Sequence, residues 1–148
     1  MIRKLERKDK DLFLRLTRDF YASDAVLHSI PDAYHINAFE EMMRSEQYAE
    51  GYLIEQDARP AGYALLAKTY SHECGGMVLW IEEIYIAPEF RGNGLGKEFF
   101  DYLETEYKSV SRFRLELEPG NEKAERLYRR LGFEPLDYRQ MVKEKKLP

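Results

Sequence analysis

Arg91-Gly92-Asn93-Gly94-Leu95-Gly96 follows a strand-like run, Trp80 to Pro88, and opens an amphipathic run, Leu95 to Tyr107. Three glycines within five positions cost backbone entropy, which a chain tolerates where it needs positive φ or where a ligand approaches the main chain. A helix that begins inside such a run aims unpaired N–H groups and its positive dipole end at an anion. The stretch therefore reads as a pyrophosphate cradle between a strand and a helix. Spacing narrows the type of cradle. A Walker loop needs Gly five residues before the Gly of a Gly-Lys pair and Ser or Thr after that pair. Here those places hold Arg91 and Glu98 around Gly96-Lys97. A dinucleotide fingerprint needs a third glycine where Lys97 stands.

What remains, Arg-x-x-Gly-x-Gly after Ala87-Pro88, resembles the acetyl-CoA loop of the GNAT family of N-acetyltransferases. A second block is similar to the same family: the strand-like Arg114 to Glu118, then Asn121 to Phe133 with Asn121, Ala124, Tyr128 and Gly132-Phe133 in order. The resemblance covers Trp80 to Tyr138. It implies a single α/β domain, 1–148, with a mixed central β-sheet, helices on both faces, and a splayed parallel strand pair that holds the cofactor. It also implies acetyl-CoA as donor substrate. Carried over by position, the cofactor-binding residues are Ile84, Tyr85 and Ile86 on the strand, Arg91, Gly92, Asn93, Gly94, Leu95, Gly96 and Lys97 in the loop, and Asn121 and Tyr128 beyond. The backbone of Ile84 and Ile86 would bond the pantetheine arm, and the Ile84 N–H would polarise the thioester carbonyl. Their side chains read as buried β-formers. Asn121, after Pro119-Gly120, is equally a helix N-cap.

The rest of the chain agrees with this class. Its 148 residues fit one domain, and 44% hydrophobic with 34% charged residues suffices for a core with a solvated surface. A net charge of −4 gives no electrostatic reason to expect nucleic acid. No apolar run reaches the length of a membrane span, and the N-terminal residues lack a signal-peptide core, so the expected location is the cytoplasm. Cys74, the single cysteine, sits before Gly75-Gly76 and reads as part of a hairpin tip. No His/Cys spacing suggests a metal site. Periodicity predicts strands over Ile2–Glu6, Tyr52–Ile54, Gly62–Thr69, Met77–Ala87, Arg114–Glu118 and Phe133–Val142. It predicts helices over Asp11–Tyr21, Asp32–Glu46, Leu95–Tyr107 and from Asn121, with turns at Asp57–Pro60 and Gly75-Gly76.

Acetyl transfer to an amine requires a neutral nucleophile, a stabilised oxyanion and a proton for the leaving thiolate. An alkylammonium with a pKa of about 10.4 is neutral at pH 7 in only about one part in a thousand, a cost of about 4 kcal/mol. Glu82 and Glu83, in Ile81-Glu82-Glu83-Ile84-Tyr85-Ile86, are the candidate proton acceptors, and this acidic pair is similar to that of the family's diamine acetyltransferases. Neighbours on a regular strand face opposite sides, so one is expected to face the amine, and Glu82 is favoured. The bland alternative is one exposed glutamate and one paired with a cation. Tyr128, on the stripe Ala124, Leu127, Tyr128, Leu131, is the candidate general acid. A tyrosine on such a stripe is ordinarily core, and it is the family position that adds the proton-donor role.

In the family, the acceptor enters between the first two helices and a strand hairpin, here Tyr21 to Tyr34 and Thr69 to Met77. Asp24, His28, Tyr34 and Tyr70, with His72 and Glu73, are the substrate candidates, although each is also an ordinary loop residue. The resemblance implies direct attack on the thioester through a tetrahedral intermediate, with a small cationic amine as the favoured acceptor. The alternatives are a protein N-terminus or lysine, or a regulatory CoA-binding module without turnover. A homodimer is common in the family, and nothing in the sequence fixes it.

Overall fold

Leu12, Phe13, Leu16 and Phe20 recur at helical spacing, and they line one side of α1, Lys10–Tyr21. The structure, a computed structural model, describes residues 1–146; Leu147 and Pro148, which the expected domain includes, lie outside the described residues. After α1 come α2, Asp32–Arg44, and a sheet built from β1, Ile2–Lys4, β2, Ala49–Gln56, β3, Arg59–Ser71, β4, Gly76–Ile86, and β5, Arg112–Leu115. Helix α3, Leu95–Glu106, connects β4 to β5, and α4, Glu122–Arg130, follows β5. The strands lie in the order β1-β2-β3-β4-β5, antiparallel except for the parallel β4–β5 pair. A strand, a crossover helix and a parallel strand form the unit that leads a chain back across a sheet face. No helix among the described residues is long and apolar enough to cross a membrane.

Each sheet face has its own core. On one, Phe13 and Phe20 of α1 and Phe39 of α2 pack with Leu53, Tyr63 and Tyr85. On the other, Leu95, Phe99, Phe100 and Leu103 of α3 pack with Tyr52, Ile54, Leu66, Leu79 and Ile81, and Tyr128 of α4 and Leu131 just after it lean against them. Burying each such large apolar side chain contributes about 1.5–3 kcal/mol. The β2–β3 turn is tighter than the sequence implies. Asp57 and Ala58 both have positive φ, 51° and 60°, so a two-residue turn joins the strands and Arg59 and Pro60 already belong to β3.

Two departures from the sequence reading concern the end of the sheet that matters for function. Register runs Leu65↔Glu83 and then Leu66↔Ile81, which leaves Glu82 as an extra residue, a β-bulge. Ile81 and Ile84 consequently pack on the same face, against α3. The expectation that Glu82 and Glu83 face opposite sides is overturned, because strict alternation holds only without a bulge. Pairing of β4 with β5 ends at Ile81↔Leu115, although β4 continues to Ile86. Glu116 to Glu118, expected in the strand, therefore have no ladder to join. The expected strand Phe133–Val142 does not form either. Phe133 turns inward onto Phe100 and Tyr128, Pro135 has no N–H to donate, and Tyr138 N–H closes back on the Leu136 carbonyl at 2.9 Å.

Candidate active site

The site grows from the point where β4 and β5 part. Ala87 N–H donates to the Ala61 carbonyl of β3 at 2.8 Å. By the alternation of an antiparallel ladder, the N–H and C=O of Ile84 and Ile86 then point away from β3, toward the gap left by β5. Their side chains pack into the α3-side core, as the sequence implies for β-formers. Tyr85 faces the opposite core and is buried there.

Beyond β4 the chain makes one 3-10 turn and enters the glycine run. Gly92 and Gly94 have φ of 81° and 78°, and Gly94 is the N-cap of α3. A Cβ at either would meet no protein atom within 4 Å. The turn is thus open on the side where side chains would project, and the first N–H groups of α3 border it, which is the architecture an anion cradle needs. Leu95 is buried and contributes only its backbone. Gly96 lies in the first turn of α3 against Leu127 of α4, so the two helices meet beside the cradle. Asn93 Nδ2 donates to Gln56 Oε1 at 3.0 Å. Lys97 pairs with Asp101 at 2.5 Å. Arg91 Nε donates to the Ile86 carbonyl at 2.8 Å, and its guanidinium lies 5.9 Å from the Tyr85 ring centre. Arg91 is thereby fastened to the strand whose backbone faces the gap.

The bulge brings two carboxylates to the mouth of that gap. Glu83 Oε1 accepts from the Tyr21 hydroxyl and Glu83 Oε2 from the Tyr63 hydroxyl, each at 2.6 Å. Tyr21 ends α1 and Tyr63 lies on β3, so Glu83 points to the α1/α2 side of the sheet. Burial, and then the Glu83 charge, push the phenols of both tyrosines above their ordinary value, keeping both as proton donors. Glu82 is solvent-exposed, with enough protein around its carboxyl to desolvate it in part. Desolvation raises its carboxyl above the ordinary range, with Glu116 and then Glu83 adding to the effect. The bulge sets Glu82 and Glu83 together opposite Leu65, and the Tyr21 phenol feels the charge of both. Arg114 stacks 4.1 Å from the Trp80 ring centre two residues before the bulge. That pair and Glu116 border the acidic corner.

Tyr128 stands on the other face, its ring 5.7 Å from Phe100 and 5.9 Å from Phe133. Burial alone pushes its phenol up. Asn121 caps α4, its side-chain oxygen accepting from Ala124 N–H at 3.3 Å. A groove of about 910 Å³ runs between β5, α4 and the segment after Phe133, and Tyr128 and Glu116 line it. Ile84, Ile86 and the glycine turn do not, so the groove lies along the far edge of β5. The splay is the better candidate, because outward backbone groups, a helix N-terminus and two carboxylates converge there.

The acceptor candidates separate. Asp24, His28 and Tyr34 are exposed on and after the segment that leaves Tyr21. Tyr70 is 72% exposed and pairs with Met77, six residues along β4 from Glu83, a span of about 20 Å at strand rise. His72 and Glu73 lie still further along, and Glu73 is held by Arg112 and by Tyr138, each at 2.8 Å. The structure therefore brings Tyr21, the end of α1 from which that segment departs, to Glu83 and leaves the β3–β4 hairpin at the opposite end of the sheet. Cys74 sits at that hairpin tip, its Sγ near the Ser71 and Gly76 carbonyls. Tyr21 and Tyr63 were missed from sequence. Their aromatic rings read as core, and only tertiary packing aims their hydroxyls at one carboxylate.

Comparison with known proteins agrees with this fold. The model of the acetyltransferase (GNAT) family matches residues 12–133. Thialysine N-epsilon-acetyltransferase of Sus scrofa is 29% identical over 147 residues, covering 89% of this chain and 82% of the relative. The Mus musculus protein is 27% identical over 150 residues, covering 91% and 84%. Among solved structures, a possible acetyltransferase from Clostridium difficile 630 superposes with a TM-score of 0.84 at 18% identity, over 99% of this chain and 98% of the other. AAC(6')-Iy in complex with the bisubstrate analog CoA-S-monomethyl-acetylneamine gives 0.78 at 20% identity, over 99% and 98%. The chain belongs to the acetyltransferase (GNAT) family and is an acyltransferase.

Proposed function

We propose that this protein transfers the acetyl group of acetyl-CoA to a primary amine on a small cationic molecule. The observation that carries the reading is the bulge at Glu82 and Glu83, which sets two carboxylates on one face beside a splayed strand pair and a glycine turn. An amine acceptor is cationic in water, and a paired anionic mouth attracts it. The thialysine acetyltransferases, which match most of this chain, support an amine carried by a small molecule.

Acetyl-CoA would supply an activated acyl group as its thioester. The residues that would hold it are Gly92, Asn93 and Gly94 with the first N–H groups of α3 at the pyrophosphate, the backbone of Ile84 and Ile86 along the pantetheine arm, and Asn121 from α4. Arg91 and Lys97 would add positive charge near the phosphates. The Ile84 N–H is the proposed donor to the thioester oxygen, the position where negative charge grows during attack.

Glu82 is the proposed proton acceptor. An ordinary glutamate near 4.3 is a weak base, and raising its pKa brings it closer to the working pH. Tyr128, kept protonated by burial, is the proposed donor to the departing thiolate. A phenol of pKa about 10 or above holds its proton more tightly than a thiol at about 8.5, so Tyr128 acts chiefly by donating a hydrogen bond to the developing thiolate. Asp24, His28 and Tyr34 remain proposed acceptor contacts. The cytoplasm is the proposed location. Thiol release from acetyl-CoA, measured across diamines, amino sugars, amino acids and peptides, tests the reading. Release with a small cationic amine is the expected result, and CoA binding without release on any acceptor would overturn it.

A further inference from the structure

Glu83 differs from Glu82 in being held at both oxygens. The Tyr21 hydroxyl reaches Oε1 and the Tyr63 hydroxyl reaches Oε2, both at 2.6 Å, so the carboxylate plane is fixed by donors from a helix and from the neighbouring strand. The donors are themselves immobile. Tyr63 has no solvent exposure, and its ring meets Phe13 edge-on at 5.4 Å and Phe20 at 6.2 Å. Tyr21 lies edge-on to Phe20 at 5.3 Å and to His35 at 5.2 Å, while buried His35 is tied to Thr17 at 3.1 Å. Phe20 touches both tyrosines, so the two phenols share one packing unit.

A fixed carboxylate with one donor on each oxygen still has lone pairs left to accept more hydrogen bonds. Those lone pairs suit an ammonium, which brings three donors. Placing a covalent proton on either oxygen would instead displace or turn a phenol. Glu82, beside it on the bulge, carries no such constraint. Tyr21 is also the last residue of α1, from which the segment bearing Asp24 and His28 departs. The clamp therefore ties the expected acceptor entrance directly to the acidic strand.

We propose that Tyr21 and Tyr63 are positioning residues that clamp Glu83 as the anion that seats the acceptor's ammonium group, leaving Glu82 to receive the proton. This rests on the amine acetyltransferase reading and divides the work of the two glutamates within it. It also resolves a conflict, since a carboxylate that binds an ammonium tightly favours the charged amine, and a second carboxylate is then needed to discharge it.

The test uses Tyr21→Phe, Tyr63→Phe and the double variant, each of which keeps the ring and removes one donor. Steady-state kinetics are measured with the amine that gives the fastest thiol release, and melting temperature is recorded for every variant. A hydrogen bond to a charged group is worth enough that each single variant should raise KM for the amine by about tenfold, with KM for acetyl-CoA changed by less than about twofold. The double variant should approach the KM of Glu83→Gln. Tyr21 lies at a helix end, so its variant keeps the test alive if Tyr63→Phe does not fold. A purely structural role would lower melting temperature and active fraction while leaving KM for the amine unchanged, and that outcome overturns the clamp while the acetyltransferase reading stands. Absence of turnover by the parent enzyme on every amine overturns both.

Discussion

Replacing Gly94 with Ala separates the cost of backbone strain from the loss of an anion cradle. Gly94 has φ of 78° and caps α3, and a Cβ there would meet no protein atom within 4 Å. The penalty for the fold is conformational alone. An L-residue in the left-handed region costs about 1–2 kcal/mol. At about 2–4 °C per kcal/mol for a chain of this size, the melting temperature should fall by roughly 2–8 °C. Gly75 supplies the matched control. Its φ is 69°, its Cβ would also meet open space, and it sits at the β3–β4 hairpin tip, the opposite end of β4 from the cradle. Gly75→Ala should lose similar stability with no effect on CoA. Gly94→Ala should also misaim N–H groups and place a methyl group in the cradle. Loss of one charge-assisted hydrogen bond, about 1.5–3 kcal/mol, corresponds to one to two decades in Kd. Calorimetric titration of CoA, with scanning calorimetry of the same samples, reads both quantities. Equal stability losses with CoA affinity unchanged in Gly94→Ala would refute the cradle.

Further consequences are open to simple measurements. Glu82 is raised by desolvation, then by Glu116 and Glu83, so the acid limb of kcat/KM should lie above the ordinary carboxylate range and rise with pH as Glu82 loses its proton. Glu116→Gln should move that limb to lower pH and Glu82→Gln should abolish it; a limb unmoved by either assigns the base elsewhere. Tyr128→Phe should lower kcat by about one to three decades, at or below the usual general-acid contribution, because a thiolate is a tolerable leaving group. Single-turnover rates equal to the parent's would remove Tyr128 from the mechanism. Ala58 carries a φ of 60° in the two-residue turn after β2. Ala58→Gly should therefore stabilise the protein by about 1 kcal/mol, read as a melting temperature higher by roughly 2–4 °C; a lower value would count against the turn geometry.

What the sequence revealed and what it concealed follow from the range of the forces involved. Local signals were legible. The glycine run announced positive φ at Gly92 and Gly94, Asn121 announced a helix cap, and the stripe Phe99, Phe100, Leu103 announced the buried side of α3. The bulge at Glu82 was not legible, because two adjacent glutamates look alike in any register and only the pairing of Leu65 and Leu66 with β4 decides it. The β4–β5 ladder stops at Ile81, the residue before the bulge, and leaves Glu116 to Glu118 outside β5. The clamp on Glu83 joins residues 62 and 20 positions away, and both reach it through rings that read as core. Phe133 to Val142 misled in the other direction. Its apolar content suits a strand, but Pro135 and the pull of Phe133 toward Phe100 turn the chain away.

The most direct test of the account is a competition assay, in which a small diamine, an amino sugar and an unblocked peptide are present together at equal concentration with limiting acetyl-CoA. The product ratio, read by mass spectrometry, equals the ratio of kcat/KM values and so reports which acceptor the site was built for. Acetylated small amine is expected to dominate, and Glu83→Gln is expected to erode this preference. Acetylated peptide in excess, or a preference untouched by Glu83→Gln, would contradict it.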